Sequence, residues 1–120
     1  MAPSLDQILI DMNEEGGFIR SVLATADGFS IASAPTSPDN ELASAMIALL
    51  RNVSVETQDN LGLDPVDEVT IRTTGHSCLV CRNFQTGDEW LSLCALVPPG
   101  GAYRRATNRA VRKILKAIVD

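Results

Sequence analysis

A long helix with an unusually wide apolar stripe is the feature that most constrains how this chain can fold. Residues 37–61 predict this helix, because Ser37 can cap its first N–H groups and Pro38 suits its first position. Acidic residues follow in the first turn, where the helix dipole favours them. The apolar stripe covers about 200° of the helical wheel, about twice the width of an ordinary surface helix. Its members are Leu42, Ala43, Ala45, Met46, Ile47, Leu49, Leu50 and Val53.

Behind this stripe the same helix carries a strip of small or apolar residues that is nearly uncharged, formed by Ser44, Ala48 and Val55. One apolar face is enough to cover a sheet, so we expect the surplus to pack against a second partner. Small residues four positions apart allow another helix to approach closely. The sequence therefore indicates assembly rather than catalysis.

The bulk composition fits a single globular domain over residues 1–120 with an aliphatic core, since 45% of the residues are hydrophobic and 4% aromatic. A net charge of −5 argues against nucleic-acid binding. The longest apolar run, Ala45–Leu50, is too short to span a membrane, and we expect no membrane association. The absence of a signal pattern at the start, together with three cysteines, predicts a cytoplasmic protein with reduced thiols.

Capping, turn and alternation signals predict the order helix, two strands, helix, three strands, helix. The first predicted helix runs to about Glu15 after a capping box at Ser4 and Gln7, and the strands at 18–24 and 29–33 that follow are joined by Asp27–Gly28. After the long helix come strands at 69–74, 77–84 and 90–97. The last helix runs from Ala102 or Tyr103 to the end.

Burial patterns then predict where the last three strands lie. The strands at 77–84 and 90–97 are apolar on both faces, so we place them inside the sheet with helices on each side. The strand at 69–74 alternates apolar and polar residues, which is typical of a half-exposed strand near an edge. An open edge invites pairing with another chain.

Residues 17–33, GFIRSVLATADGFSIAS, form a strand–Asp-Gly–strand unit in which a small residue follows the returning apolar pair. This unit and the helix start at 41–45 resemble the roadblock / dynein light-chain family, in its bacterial group of GTPase partners. The order of elements is similar over nearly the whole chain. Residues 98–105 depart from the glycine–arginine step that many bacterial members have after the last strand.

The resemblance implies an α+β fold, with a profilin-like central antiparallel five-stranded sheet and helices on both faces, in the order α-β-β-α-β-β-β-α. It also implies a homodimer in which the third strands pair into one continuous sheet and the long helices lie side by side. On this basis we expect the dimer interface at Ser44, Ile47, Ala48, Arg51, Val55, Thr70, Arg72 and Thr74.

The function implied by the resemblance is that of a non-enzymatic regulator or scaffold that binds a small Ras-like GTPase and modulates its nucleotide cycle. GTPase activation in a polarity or motility system is one form of this role. Arg51 is the candidate for an arginine supplied in trans, although we expect indirect action through the GTPase switch region. The expected partner-binding residues are Glu41, Arg51, Asn52, Arg105, Arg109 and Arg112.

Two alternatives remain open at this point. One is a profilin-like module that senses a small molecule, which needs a pocket with converging polar groups. The other is a structural adaptor without effect on any GTPase. The few polar residues among the expected core positions favour the regulator over the sensing module.

Cys78 and Cys81, with His76 nearby, form the most metal-like motif in the chain. Residues three apart on a strand point to opposite faces, so these two thiols are not expected to share a metal. No helix follows to lower their pKa, as in a redox motif of this spacing. We interpret them, and Cys94, as small buried hydrophobic side chains, and we expect no metal site and no cofactor.

Enzyme motifs are also absent from the sequence. A single histidine without a paired nucleophile argues against a hydrolase, and no phosphate-binding loop of a GTPase is present. Gly100–Gly101 ahead of a basic helix allows a small anion site or a simple connector, and the connector is the more common case. We therefore expect no catalytic residues.

The last helix concentrates positive charge in a chain that is acidic as a whole. Six of the ten basic residues lie between Arg104 and Lys116, opposite an apolar stripe. The simpler interpretation is a solvated face over a buried stripe. The functional one is a surface for an acidic partner or for anionic lipid.

Overall fold

The computed structural model describes residues 3–36 and 40–119, without the side chains of residues 40–42 and 119. The predicted cap at Ser37–Pro38 lies outside the described residues. The order of elements agrees with the prediction. The elements are α1 (Leu5–Gly16), β1 (Arg20–Thr25), β2 (Ser30–Ala34), α2 (Asn40–Leu61), β3 (Glu68–Arg72), β4 (Cys78–Thr86), β5 (Glu89–Val97) and α3 (Arg104–Val119).

The five strands form one antiparallel sheet in the order β2-β1-β5-β4-β3. β4 and β5 lie inside the sheet, and β3 lies at one edge, so both placements inferred from the burial patterns are confirmed. The expected sheet with helices on both faces is confirmed as well, because alternate residues of the strands enter two separate hydrophobic clusters.

The larger cluster lies between one face of the sheet and the helices α1 and α3. Ser4 caps α1 by accepting a hydrogen bond from the backbone N–H of Gln7, as the capping box predicts. Apolar residues of both helices then pack on the inward-facing residues of β5. The fully buried members of this cluster include Ile8, Leu9, Leu23, Val80, Leu93 and Ile114.

The smaller cluster lies on the opposite face, under α2. It consists of Val22, Ala24, Ile47, Cys81 and Cys94, with Ala43, Leu50 and Leu79 partly buried against it. Cys78 belongs to the first cluster and Cys81 to the second, which confirms that these thiols point to opposite faces. None of the described helices, α2 included, is long and apolar enough to cross a membrane.

The hairpin between β1 and β2 touches α2 directly. Gly28 has φ 93°, a conformation that favours glycine, in the predicted Asp27–Gly28 turn. A Cβ atom at Gly28 would lie 3.2 Å from the Cβ of Ala48 and 3.2 Å from the carbonyl oxygen of Ser44. The missing side chain thus lets the tip of the hairpin pack closely on the middle of α2.

Candidate functional site

α2 packs on the sheet through small and polar residues together with only part of its apolar stripe, namely Ala43, Ile47 and Leu50. Its buried residues are spaced three or four apart and are Ser44, Ile47, Arg51 and Ser54. The apolar residues Met46, Leu49 and Val53 are 49%, 58% and 54% exposed. The apolar stripe is therefore divided between residues that cover the sheet and residues left exposed, and the expectation that the small strip is free to meet another helix is wrong for the buried Ser44.

The physical reason is the close approach of α2 to its neighbours. Small side chains such as Ala24 and Cys94 form the sheet surface below the helix, and Gly28 admits the backbone of Ser44. Ser54 satisfies its own hydroxyl by donating to the carbonyl oxygen of Leu50 at 2.8 Å, so its burial does not need a polar partner on the sheet. A strip of bulky residues would hold the helix further away.

We call Met46, Leu49 and Val53 the α2 seam. The three residues follow the i, i+3, i+7 spacing by which one helix packs along another. Beside the seam, an apolar groove of about 120 Å³ runs between α2 and the sheet. Its lining residues are Arg20, Ser21, Val22, Ala43, Leu79, Cys94 and Leu96.

The edge strand β3 continues this uncovered apolar surface. Ile71 is 44% exposed and pairs with Leu79 of β4, so it lies on the same sheet face as the groove. The free edge of β3 offers unpaired backbone groups beside it. The seam, the groove and this edge together form a surface suited to a second protein chain.

The residues predicted for the dimer interface are distributed unevenly over this surface. Ser44, Ile47 and Arg51 lie against the chain's own sheet, so they are corrected to core positions. Ala48 and Val55 are partly exposed on the flank of α2. Thr70, Arg72 and Thr74 are exposed on β3 or directly after it. The seam residues were missed as interface residues, although their pattern was the wide stripe itself.

Arg51 is the most unusual side chain under α2. Only 9% of it is exposed, and its guanidinium carbon lies 4.4 Å from the ring centre of Trp90. Its Nη1 atom is buried and donates to no group that the structure describes. Burial lowers the pKa of Arg51 from its ordinary value. Arg51 was expected to contact a partner, which needs an accessible guanidinium, but the structure packs it against the chain's own sheet.

The other predicted partner-binding residues do not form one surface on the chain. Asn52 is exposed on α2, whereas Arg105, Arg109 and Arg112 are exposed on α3, at the opposite face of the sheet. Glu41 lies in the first turn of α2, and its side chain is outside the described residues. The basic face of α3 is exposed, as both interpretations of it required.

A polar cluster around Glu68 ties the edge strand β3 to α3. The Tyr103 hydroxyl donates to Oε2 of Glu68 at 2.6 Å, and the Thr70 hydroxyl donates to the same oxygen at 2.9 Å. Arg82 Nε and Arg104 Nη1 lie 3.6 and 3.7 Å from Oε1. Burial alone would raise the pKa of Glu68, but the two hydrogen bonds and the two arginine charges outweigh it and lower the pKa.

The cysteines contain one pairing that the sequence analysis missed. Cys81 of β4 lies directly opposite Cys94 of β5. Burial, and then the hydrogen bond with the Cys81 thiol, raise the pKa of Cys94, which makes it a poor nucleophile. Among the described residues, no group of three or more His, Cys, Asp or Glu side chains is placed to hold a metal ion.

The fold and these surfaces define a class of protein: a small layered domain with the fold of the Roadblock/LC7 domain. No family model and no curated protein matches the sequence, so solved structures carry this comparison. Myxococcus xanthus MglB aligns with a TM-score of 0.76 at 11% identity, covering 95% of this chain and 94% of that one.

Two further structures give the same fold. A Roadblock/LC7 domain from Streptomyces avermitilis has a TM-score of 0.70 and 15% identity over 97% of this chain and 95% of its own. An MglB in a tetrameric arrangement has a TM-score of 0.70 and 18% identity, covering 97% and 91%. The profilin likeness is also confirmed, since Acanthamoeba castellanii profilin IB aligns with a TM-score of 0.55 at 14% identity over 97% of both chains.

Proposed function

We propose that this protein is a non-enzymatic, homodimeric regulator or scaffold that binds a small Ras-like GTPase and modulates its nucleotide cycle. The observation that carries the proposal is the α2 seam, which leaves three large apolar side chains of one helix face about half exposed. Apolar area of this kind is stabilised when a partner covers it. The likeness in fold to MglB and Roadblock/LC7 structures supports the same class of role.

In the proposed dimer the seams of the two α2 helices pack side by side, and the free edges of the two β3 strands pair. This arrangement covers Ile71 and the apolar groove at the same time, because both lie on the α2 side of the sheet. Thr70, Arg72 and Thr74 remain interface residues in this proposal. Leu49 replaces Ser44 and Ile47, which were expected at the interface from the sequence, as a contact residue of α2.

The nucleotide chemistry in this proposal belongs to the GTPase. Arg51 is packed under Trp90 and its Nη1 is buried, so it does not project from α2 as an arginine finger would. The protein then acts indirectly, by holding the GTPase in one of its two nucleotide states. Asn52, on the exposed flank of α2, and Phe29, 71% exposed beside the Gly28–Ala48 contact, are the surface residues we assign to GTPase binding on this face.

The sensing alternative is less well supported. Small-molecule sites usually enclose about 300–1,000 Å³. The groove at α2 has about 120 Å³ and a mainly apolar lining, which fits a side chain of a partner better than a metabolite.

The test is to measure the binding of purified Ras-like GTPases from the same cell, each loaded with GDP or with a GTP analogue. We expect one GTPase to bind with at least about a tenfold preference between its two states, because equal affinity cannot bias the cycle. Phe29→Ala should weaken that binding without changing the mass of the dimer. Equal affinity for both states would reduce the protein to an adaptor, and no binding to any of them would refute the proposal.

A further inference from the structure

The outer surface of the α1/α3 layer is divided by charge into two strips. α1 carries four acidic residues and no basic one, whereas α3 carries six basic residues and no acidic one. The exposed members on α1 are Asp6, Asp11, Glu14 and Glu15, and those on α3 are Arg104, Arg105, Arg109, Arg112, Lys113 and Lys116. The layer therefore presents an acidic strip beside a basic strip.

Only the charged side chains that face the groove between α1 and α3 neutralise each other. Arg109 Nη1 donates to Oε1 of Glu15 at 2.8 Å across the groove between the helices, and Asp11 and Lys113 line the same groove. The outward-facing cations Arg105, Arg112 and Lys116 form no ion pair with any residue that the structure describes. On α1, Asp6 and Glu14 point outwards on either side of Ile10, which is 41% exposed.

The two helices run antiparallel, and this fixes which charges lie at the same level. Glu15 lies beside Arg109, and Asp11 lies in the groove with Lys113. Each step towards the C-terminus of α1 is a step towards the N-terminus of α3, so Glu14 lies at the level of Ala110, within a turn of Arg112, and Asp6 lies near the level of Lys116.

We propose that this face binds the same face of a second copy of the chain. A twofold rotation about an axis along the groove between α1 and α3 lays the acidic strip of each copy on the basic strip of the other. The rotation preserves level along the helices, so Glu14 of one copy meets Arg112 of the other, and Asp6 meets Lys116. Ile10 is covered by the apolar stem of Arg112. The contact is isologous, because the same two strips complement each other twice.

Charge complementarity decides against the other occupants of this face. A flat anionic membrane would attract α3 but would be repelled by the four acidic residues of α1 in the same surface. An acidic protein meets the same difficulty. A partner that fits both strips must present basic residues to α1 and acidic residues to α3. A second copy turned by the twofold presents its α3 to α1 and its α1 to α3.

The assembly that results depends on the proposed function. In the proposed side-by-side dimer, each chain presents one α1/α3 layer, so dimers associate further through these contacts. If the α2 dimer does not form, the same contact joins two monomers instead.

The experiment inverts each strip separately and measures mass by sedimentation. The α3 variant is Arg112→Glu with Lys116→Glu, and the α1 variant is Asp6→Lys with Glu14→Lys. Each should raise the dissociation constant of the contact at least about tenfold, since attraction becomes repulsion at several exposed pairs. The wild type should dissociate between about 0.1 M and 1 M salt, where the screening length falls from about 10 Å to about 3 Å.

Mixing the two variants is the decisive arm. At the positions that meet in the contact, the α3 variant presents acidic side chains on both helices and the α1 variant presents basic side chains on both, so the two together should recover a mixed assembly of the wild-type mass. A control variant, Asp59→Lys with Asp88→Lys, makes the same change in charge as the α1 variant but away from the layer, and should keep the wild-type mass.

Three results would overturn the proposal: a wild-type mass that the inversions do not change, variants that fail to associate when mixed, or binding of the wild type to phosphatidylserine vesicles without self-association. This experiment can be distinguished from the test of the α2 dimer. Leu49→Asp changes the mass of the basic unit, whereas the inversions change only whether that unit associates further.

Discussion

Replacing Leu49 by aspartate is the sharpest test of the proposed dimer. Leu49 lies in the middle of the α2 seam and is 58% exposed in the single chain. Complete burial of a leucine contributes about 1.5–3 kcal/mol, so covering its exposed part contributes about 1–1.5 kcal/mol per copy. Both copies lose this contribution in the variant, and two carboxylates must also leave water.

The dissociation constant of the dimer should therefore rise by about 100-fold or more, at about 1.4 kcal/mol for each factor of ten. Sedimentation equilibrium over a range of concentrations measures this directly, and circular dichroism checks that the fold is kept. Asn52→Asp is the matched control, because Asn52 is exposed on the same helix but is not one of the seam residues. A folded Leu49→Asp variant with an unchanged dimer would refute the reasoning, and so would an equal loss in the control.

The remaining predictions concern the buried polar groups. Arg51→Met keeps the packing on Trp90 and removes the charge. GTP hydrolysis by a bound GTPase should then fall less than about tenfold, whereas the loss of a true arginine finger lowers the rate by about 10³ or more. A loss of two orders of magnitude with binding intact would contradict indirect action. Because the pKa of Glu68 is lowered in the fold, its stabilisation is complete above its ordinary value of 4.5 and is lost as the pH falls through the folded pKa. Tyr103→Phe should weaken this effect and cost about 1 kcal/mol at pH 7, measured by urea unfolding across that range. Cys81→Ala and Cys94→Ala should each lower the free energy of unfolding by about 1 kcal/mol or more, with dimer mass unchanged and no stoichiometric zinc in the wild type by elemental analysis.

The order of elements was predictable because local signals agree with the global fold. The Asp27–Gly28 turn, the cap at Ser4 and the alternating pattern of the third strand each depend on nearby residues alone. Edge and interior strands followed from the same patterns, since a strand that is apolar on both faces must be covered on both.

The orientation of α2 was not predictable in the same way. Hydrophobic periodicity shows how much apolar surface a helix has, but not which neighbour covers it. The choice is made by size, because Gly28 and the small residues below α2 bring the sheet close to Ser44. Ala48→Glu would accordingly disturb the packing of the hairpin on α2 before it affected a dimer contact.

The Cys81–Cys94 pair shows how one turn residue decides a contact. With Gly87–Asp88 as a two-residue turn, Thr86 pairs with Glu89 and the register carries Cys81 to Cys94. The strands expected from the sequence, 77–84 and 90–97, leave residues 85–89 between them and do not fix the length of the turn. Shifting one strand by one residue moves its side chains to the other face, so that uncertainty was enough to hide the pair.

The two faces of the sheet rely on different forces, and this sets the order in which copies should assemble. The α2 seam is apolar, so salt does not weaken the contact it forms. The α1/α3 face depends on exposed charges, which contribute little per pair and are screened within about 10 Å at 0.1 M salt. Dimers should thus persist through dilution and high salt, while their stacking should appear only when protein is concentrated and salt is low. A titration with salt at fixed protein concentration separates the two steps, because it removes the charge-dependent contact and leaves the apolar one in place.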